Sequence, residues 1–204
     1  MKLLLGCLFP ALLITACNIG APRLRGLPPD AVILAFGDSL TYGTGALPGQ
    51  SYPAVLQKSI SRTVINAGVP GETTAEGRAR LPHLLDRYQP ALVLLCLGAN
   101  DMLRGLDEEA AAENLKEMIR MMEKRGIQVV LIGVPKPTLL VSTPKFYRQI
   151  AEEFSLPYLE NTMSDILKKN SLKSDFIHPN AKGYQKLAEQ IAIFLKKRGA
   201  FSER

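Results

Sequence analysis

Residues 91–97 and 127–133 are almost continuously apolar, and that pattern constrains the fold more than any other feature of the chain. A strand with one wet face alternates apolar and polar residues, whereas a run without alternation suits a parallel strand covered on both faces. Three further runs of strand length lie at 31–36, 63–66 and 156–159. Helical patterns separate the five at 51–60, 107–125 and 144–154, with a shorter stretch over 72–88 interrupted by Pro82 and a last helix over 179–197. Asp107 is a good N-cap with acids in the following turn, and Lys124 and Arg125 precede a glycine stop at Gly126. This alternation implies a doubly wound α/β/α three-layer sandwich on a parallel sheet of about five strands. At 204 residues, with no linker, internal repeat or low-complexity segment, the chain reads as one domain with a sizeable core.

The first residues differ from the rest. Lys2 precedes an apolar run over 3–14, and Ile14-Thr15-Ala16-Cys17 ends it with small residues and a cysteine. The run is too short to span a bilayer and reads as a secretory signal. It also resembles the lipobox of bacterial lipoproteins, which implies a signal peptide over 1–16 and lipidation of Cys17 as the mature N-terminus; a tether over 17–29 and a folded domain over 30–204 are then expected to follow. The plain alternative is a signal peptide whose cysteine is incidental. Asn18 is not the aspartate linked with inner-membrane retention, so the expected destination is the cell envelope at the outer membrane.

Of three cysteines, Cys7 leaves with the signal and Cys17 is acylated, so no intramolecular disulfide is expected. Cys96 lies in a run apolar on both faces and reads as an inert core thiol. Two histidines and no Cys or His pair at ligand spacing give no expectation of a metal, and no cofactor is implied. The net charge of +6 includes a basic cluster at Lys196-Lys197-Arg198, either a solvated helix end or a surface drawn to an anionic membrane. No basic patch is interleaved with aromatics, so a nucleic-acid partner is not expected.

Each of the first three strands ends in a polar or glycine-containing loop. The first delivers Gly37-Asp38-Ser39-Leu40-Thr41, the second Asn66-Ala67-Gly68, and the third Gly98-Ala99-Asn100-Asp101. In an open α/β sheet these loops share one edge, where active sites form. Downstream, Asp175-Phe176-Ile177-His178-Pro179 supplies a carboxylate and an imidazole close together, the two groups a serine needs to become a nucleophile. Ser39 is then the nucleophile, His178 the base and Asp175 its orienting partner, with oxyanion donors at the Ser39 amide, the Gly68 amide and the Asn100 side chain. His83 is a competing base, but its helical stretch meets no strand end. Taken singly, each residue has a plainer role: Ser39 and Asp175 as caps, Gly68 as a turn, Asn100 in an Asx-turn.

In order, these four blocks resemble those of the SGNH, or GDSL, hydrolase family, and most of all the bacterial branch of thioesterase I, lysophospholipase L1 and arylesterases. The likeness runs from about Ala31 to Leu195. It implies a flavodoxin-like sheet, Ser39, Asp175 and His178 as the catalytic set, and a small acyl or aryl ester or lysolipid as substrate. The site departs from Gly-x-Ser-x-Gly because Thr41 holds the last position, which disfavours an α/β-hydrolase elbow. The loop over 134–144 is shorter than its counterpart in thioesterase I, and Leu139-Leu140-Val141 within it reads either as a lip over an acyl group or as packing on the sheet.

Other readings use the same residues. A flavin-binding protein would cradle a phosphate on 39–45, leaving Asn100 and the Asp175/His178 pair without a role. A carbohydrate O-acetylesterase would share the catalytic groups, and a surface lipoprotein without activity would have no need of them.

Overall fold

The computed structural model describes residues 21–137 and 141–201. Cys17, the signal segment, Leu139 and Leu140 lie outside the described residues. Five parallel strands form one sheet: β1 (Ile33–Gly37), β2 (Val64–Gly68), β3 (Leu92–Cys96), β4 (Gln128–Ile132) and β5 (Tyr158–Leu159). Their spatial order is β2-β1-β3-β4-β5. All five residues of β1 and of β3 are buried, as their lack of alternation requires of central strands covered on both faces. The edge strand β2 is only partly covered.

Helices cover both faces. On one, α2 (Tyr52–Ile60) packs against α8 (Ala181–Lys197); on the other, α3 (Thr74–Tyr88) packs on α5 (Glu108–Glu123), which touches α6 (Lys145–Glu153). The short helices α1 (Ser39–Tyr42), α4 (Ala99–Leu103) and α7 (Thr162–Leu167) and a 3-10 turn at Asn170–Leu172 span too few residues to carry a periodic pattern. The strands are level at one edge, Gly37 pairing with Gly68 on one side and Cys96 on the other. The loops after β1, β2 and β3 therefore open onto the same place. The strand order reverses between β1 and β3, the switch point where such sheets bind ligands.

Three expectations need correction. Pro82 does not interrupt α3, which runs through it; Gly77, Leu81 and Leu85 are buried on the sheet side of the helix. Burial of each leucine contributes about 1.5–3 kcal/mol, which offsets the roughly 3 kcal/mol a mid-helix proline costs. A capping box between Thr73 and Glu76 also fixes where α3 starts. Secondly, Pro179 is not the first residue of α8. Asn180 caps that helix, its side chain accepting from Gly183 N at 3.1 Å, while Pro179 forms a bridge with Lys173. Thirdly, the expected tether is in its later part docked on the domain. Leu24 and Leu27 are buried, and their amides donate to the Arg198 and Ala200 carbonyls at 2.7 and 2.8 Å. Arg25 is bonded to Gly126 O at 2.6 Å and, through its amide, to Gln128 Oε1 at 2.6 Å. The leucines have apolar surface to bury, and the segment is held between the end of α8 and the start of β4.

Candidate active site

Asp38 accepts from Leu40 N at 2.9 Å and so caps α1, and that turn presents Ser39 at the end of β1. The C-terminal loop supplies the rest. Asn180 closes its neck by donating to the Ser171 and Lys173 carbonyls, and Ser174 N donates to His178 O at 2.9 Å. Within the loop, Asp175 Oδ1 accepts from the amides of Ile177 and His178, each at 2.8 Å. Its Oδ2 lies 2.8 Å from His178 Nδ1, and His178 Nε2 lies 3.0 Å from Ser39 Oγ. Partial burial pushes the Asp175 carboxyl up, but the His178 ring and the two amides outweigh it and hold the group below the ordinary carboxylate range. An ionised Asp175 on Nδ1 keeps that nitrogen protonated and leaves Nε2 free to accept from the serine.

The structure thus brings together Ser39, Asp175 and His178, and it leaves His83 exposed on α3, outside this cluster. Asn100 also reaches the site edge: its Nδ2 donates to Glu72 O at 3.0 Å, and an amide nitrogen with two hydrogens keeps one for another acceptor. Asp101 has a supporting part, accepting from Thr74 N at 2.9 Å and Thr74 Oγ1 at 2.6 Å, which ties α4 to the start of α3.

Gly68 does not fit the donor role expected of it. Its amide donates to Asn66 Oδ1 at 2.9 Å, so that hydrogen is already held. It is a glycine for a steric reason, since a Cβ there would lie 2.1 Å from Tyr42 N in the backbone of α1. The next glycine does fit. Residues 69–72 form a turn closed by Glu72 N to Val69 O at 3.2 Å, with Pro70 and then Gly71 at φ +82° in its centre, the arrangement of a type II turn. That turn leaves the Gly71 N–H unpaired among the described residues, beside the carbonyl of Glu72 that Asn100 holds. The Pro70-Gly71 pair was the available sequence signal.

An apolar cleft opens beside Ser39 and His178, lined by Leu40, Leu103, Val134, Phe176 and Ile177, with Val141 at its edge. Val141 is the described member of the expected lip. Thr41 is buried, its Oγ1 3.2 Å from Tyr52 Oη, so one of the hydroxyls of the phosphate cradle expected of a flavin binder is turned inward. Cys96 is buried, and burial pushes its thiol well up, which fits an inert core residue. Among the described residues no group of three or more His, Cys, Asp or Glu side chains is placed to hold a metal ion.

The sequence profile of the GDSL-like Lipase/Acylhydrolase family matches residues 35–186, most of the chain. The chain belongs to that family. Among curated GDSL relatives, an arylesterase of Vibrio mimicus is 32% identical over 176 residues, covering 81% of this chain and 88% of its own. Thioesterase 1/protease 1/lysophospholipase L1 of Escherichia coli K12 is 32% identical over 168 residues, covering 78% and 81%. The crystal structure of the psychrotrophic esterase EstA from Pseudoalteromonas sp., inhibited by monoethylphosphonate, superimposes with a TM-score of 0.74 at 28% identity. That match covers 82% of this chain and 98% of EstA. This GDSL protein is a serine hydrolase of ester bonds with the three-layer α/β fold.

Proposed function

We propose that the chain cleaves acyl and aryl carboxylic esters and thioesters through an acyl-enzyme on Ser39. The observation that carries this reading is the unbroken chain from Asp175 Oδ2 through the His178 ring to Ser39 Oγ. Ser39 gives its proton to His178 Nε2 as Oγ attacks the ester carbonyl. The oxyanion is met by the Ser39 amide, the Gly71 amide and the second hydrogen of Asn100 Nδ2; Gly71 takes the place expected of Gly68. Protonated His178 then hands its proton to the leaving alcohol or thiol, and a water repeats the sequence to release the acid and regenerate Ser39. The apolar lining of the cleft supports an acyl group longer than acetyl, since a two-carbon chain would leave Leu103 and Phe176 uncovered.

A fluorophosphonate should label Ser39, and Ser39→Ala should abolish labelling and ester hydrolysis with the fold intact. In a crystal structure of the adduct, the phosphonyl oxygen should lie about 2.7–3.1 Å from Gly71 N and Asn100 Nδ2. Labelling of another residue overturns the nucleophile, and a contact to Gly68 N in place of Gly71 N overturns the donor set.

Lipidation of Cys17 belongs to the same reading, supported by Ile14-Thr15-Ala16-Cys17. The arm from Arg23 to Leu27 is bound where the strands begin, the edge opposite Ser39. The six Cα-to-Cα steps from Cys17 to Arg23 reach at most about 20 Å. An anchor on Cys17 would thus hold the bilayer near the far edge of the sheet, with the cleft open to the aqueous side. That orientation favours ester substrates arriving from solution over lipids of the anchoring leaflet.

A further inference from the structure

Glu72 is 5% exposed, and one guanidinium holds both oxygens of its carboxylate: Arg80 Nε meets Oε1, and Nη2 lies 2.6 Å from Oε2. The same Nη2 donates to Ala67 O at 2.8 Å and reaches Gly37 O at 3.4 Å, while the guanidinium carbon stands 4.3 Å over the Phe36 ring. A single side chain therefore grips the ends of β1 and β2 and the turn that follows β2. On the other side of that turn, Asn100 Nδ2 holds Glu72 O and Arg104 Nη2 holds Gly71 O at 2.6 Å. The Gly71–Glu72 segment is clamped from both directions.

A buried ion pair is a poor source of stability, because desolvation offsets most of its attraction. It can instead fix geometry. Oxyanion donors act only when held within about 0.5 Å of the position the charge will occupy.

We infer that Arg80 is a positioning residue of the oxyanion hole, acting through Glu72 to set the Gly71 amide and the Asn100 carboxamide against Ser39. The inference rests on the esterase reading above. Arg80 touches no substrate; its fork geometry matters more than its charge, because an ammonium cannot span two carboxylate oxygens and a carbonyl at once. Complete loss of one oxyanion donor costs about 10²–10³-fold, and loosening two costs less than removing one.

The test compares Arg80→Lys and Glu72→Gln with the unaltered protein on a p-nitrophenyl ester. We expect kcat to fall by about 10–100-fold in Arg80→Lys and less in Glu72→Gln, with KM within about threefold. The rate of fluorophosphonate labelling at Ser39 should fall in parallel with kcat. In an Asn100→Ala background the Arg80→Lys effect should shrink by about threefold or more, because one of the two donors it positions is gone and only the Gly71 amide remains to be displaced. Unchanged kcat, a loss confined to thermal stability, or an undiminished loss in the Asn100→Ala background overturns the inference. If Arg80→Lys fails to fold, Glu72→Gln decides by the same criteria. Failure of the unaltered protein to label at Ser39 is a separate result, and it removes the esterase site itself.

Discussion

Replacing Asp38 with asparagine should make the protein more stable, and increasingly so between pH 4 and 7. Asp38 is fully buried, its Oδ1 accepts from Leu40 N, and its Oδ2 has no partner among the described residues. Burial, helped by the charges of Glu72 and Asp101 and opposed by the backbone amides of Leu40 and Ala99, pushes the carboxyl up to about 7 from 3.8. The sign follows from which state holds the proton. Below pH 3.8 both states are protonated and the group costs nothing; between 3.8 and 7 the unfolded chain ionises while the folded one does not, so stability falls by about 1.4 kcal/mol per pH unit. Above 7 both are ionised, and the accumulated cost levels off near 4 kcal/mol. Asparagine keeps the acceptor for Leu40 N and never titrates. Urea unfolding of both proteins at pH 5 and pH 8 should therefore show the advantage of Asp38→Asn growing by about 3 kcal/mol. An advantage that stays constant to within about 0.5 kcal/mol would refute the claim that a buried proton sits on this residue.

Three further outcomes follow from the site and the chain's first residues. His178→Ala should lower kcat by about 10³-fold or more, Asp175→Ala by less, and His83→Ala hardly at all; equal damage from the two histidines would misassign the base. Leu103→Ser with Phe176→Ser should depress kcat/KM on medium-chain esters, by up to about 0.8 kcal/mol for each methylene left uncovered, while sparing acetyl esters. Both residues are about half exposed, so an equal loss at every chain length would show a structural role instead. Cys17→Ser should release soluble protein or leave unprocessed precursor, and membrane retention with normal processing would exclude lipidation.

The parallel sheet was legible because burial on both faces writes itself into 91–97 and 127–133 as a lack of alternation, and a helix cap such as Asp107 acts on neighbours within three residues, whereas the cap at Asn180 emerged only with the structure. Ser39, Asn100, Asp175 and His178 were legible as residue types that a strand end or loop does not otherwise need. Their meeting was not, since Ser39 and His178 are 139 positions apart and only the docking of the C-terminal loop on the level ends of the strands sets their 3.0 Å contact. Pro70-Gly71 marks a turn in the sequence, but the letters around Gly68 and Gly71 do not say which N–H is left free toward the serine. The difference between them is the direction of one N–H bond, decided by whether Asn66 reaches it and by the +82° turn at Gly71. The Arg80–Glu72 clamp was invisible for the same reason: on a helix, Arg80 reads as a solvated cation until the carbonyls of β1 and β2 and a buried carboxylate stand around it. Local sequence determines periodicity and caps because those interactions span a few residues; packing alone decides which distant groups share a few ångströms of space.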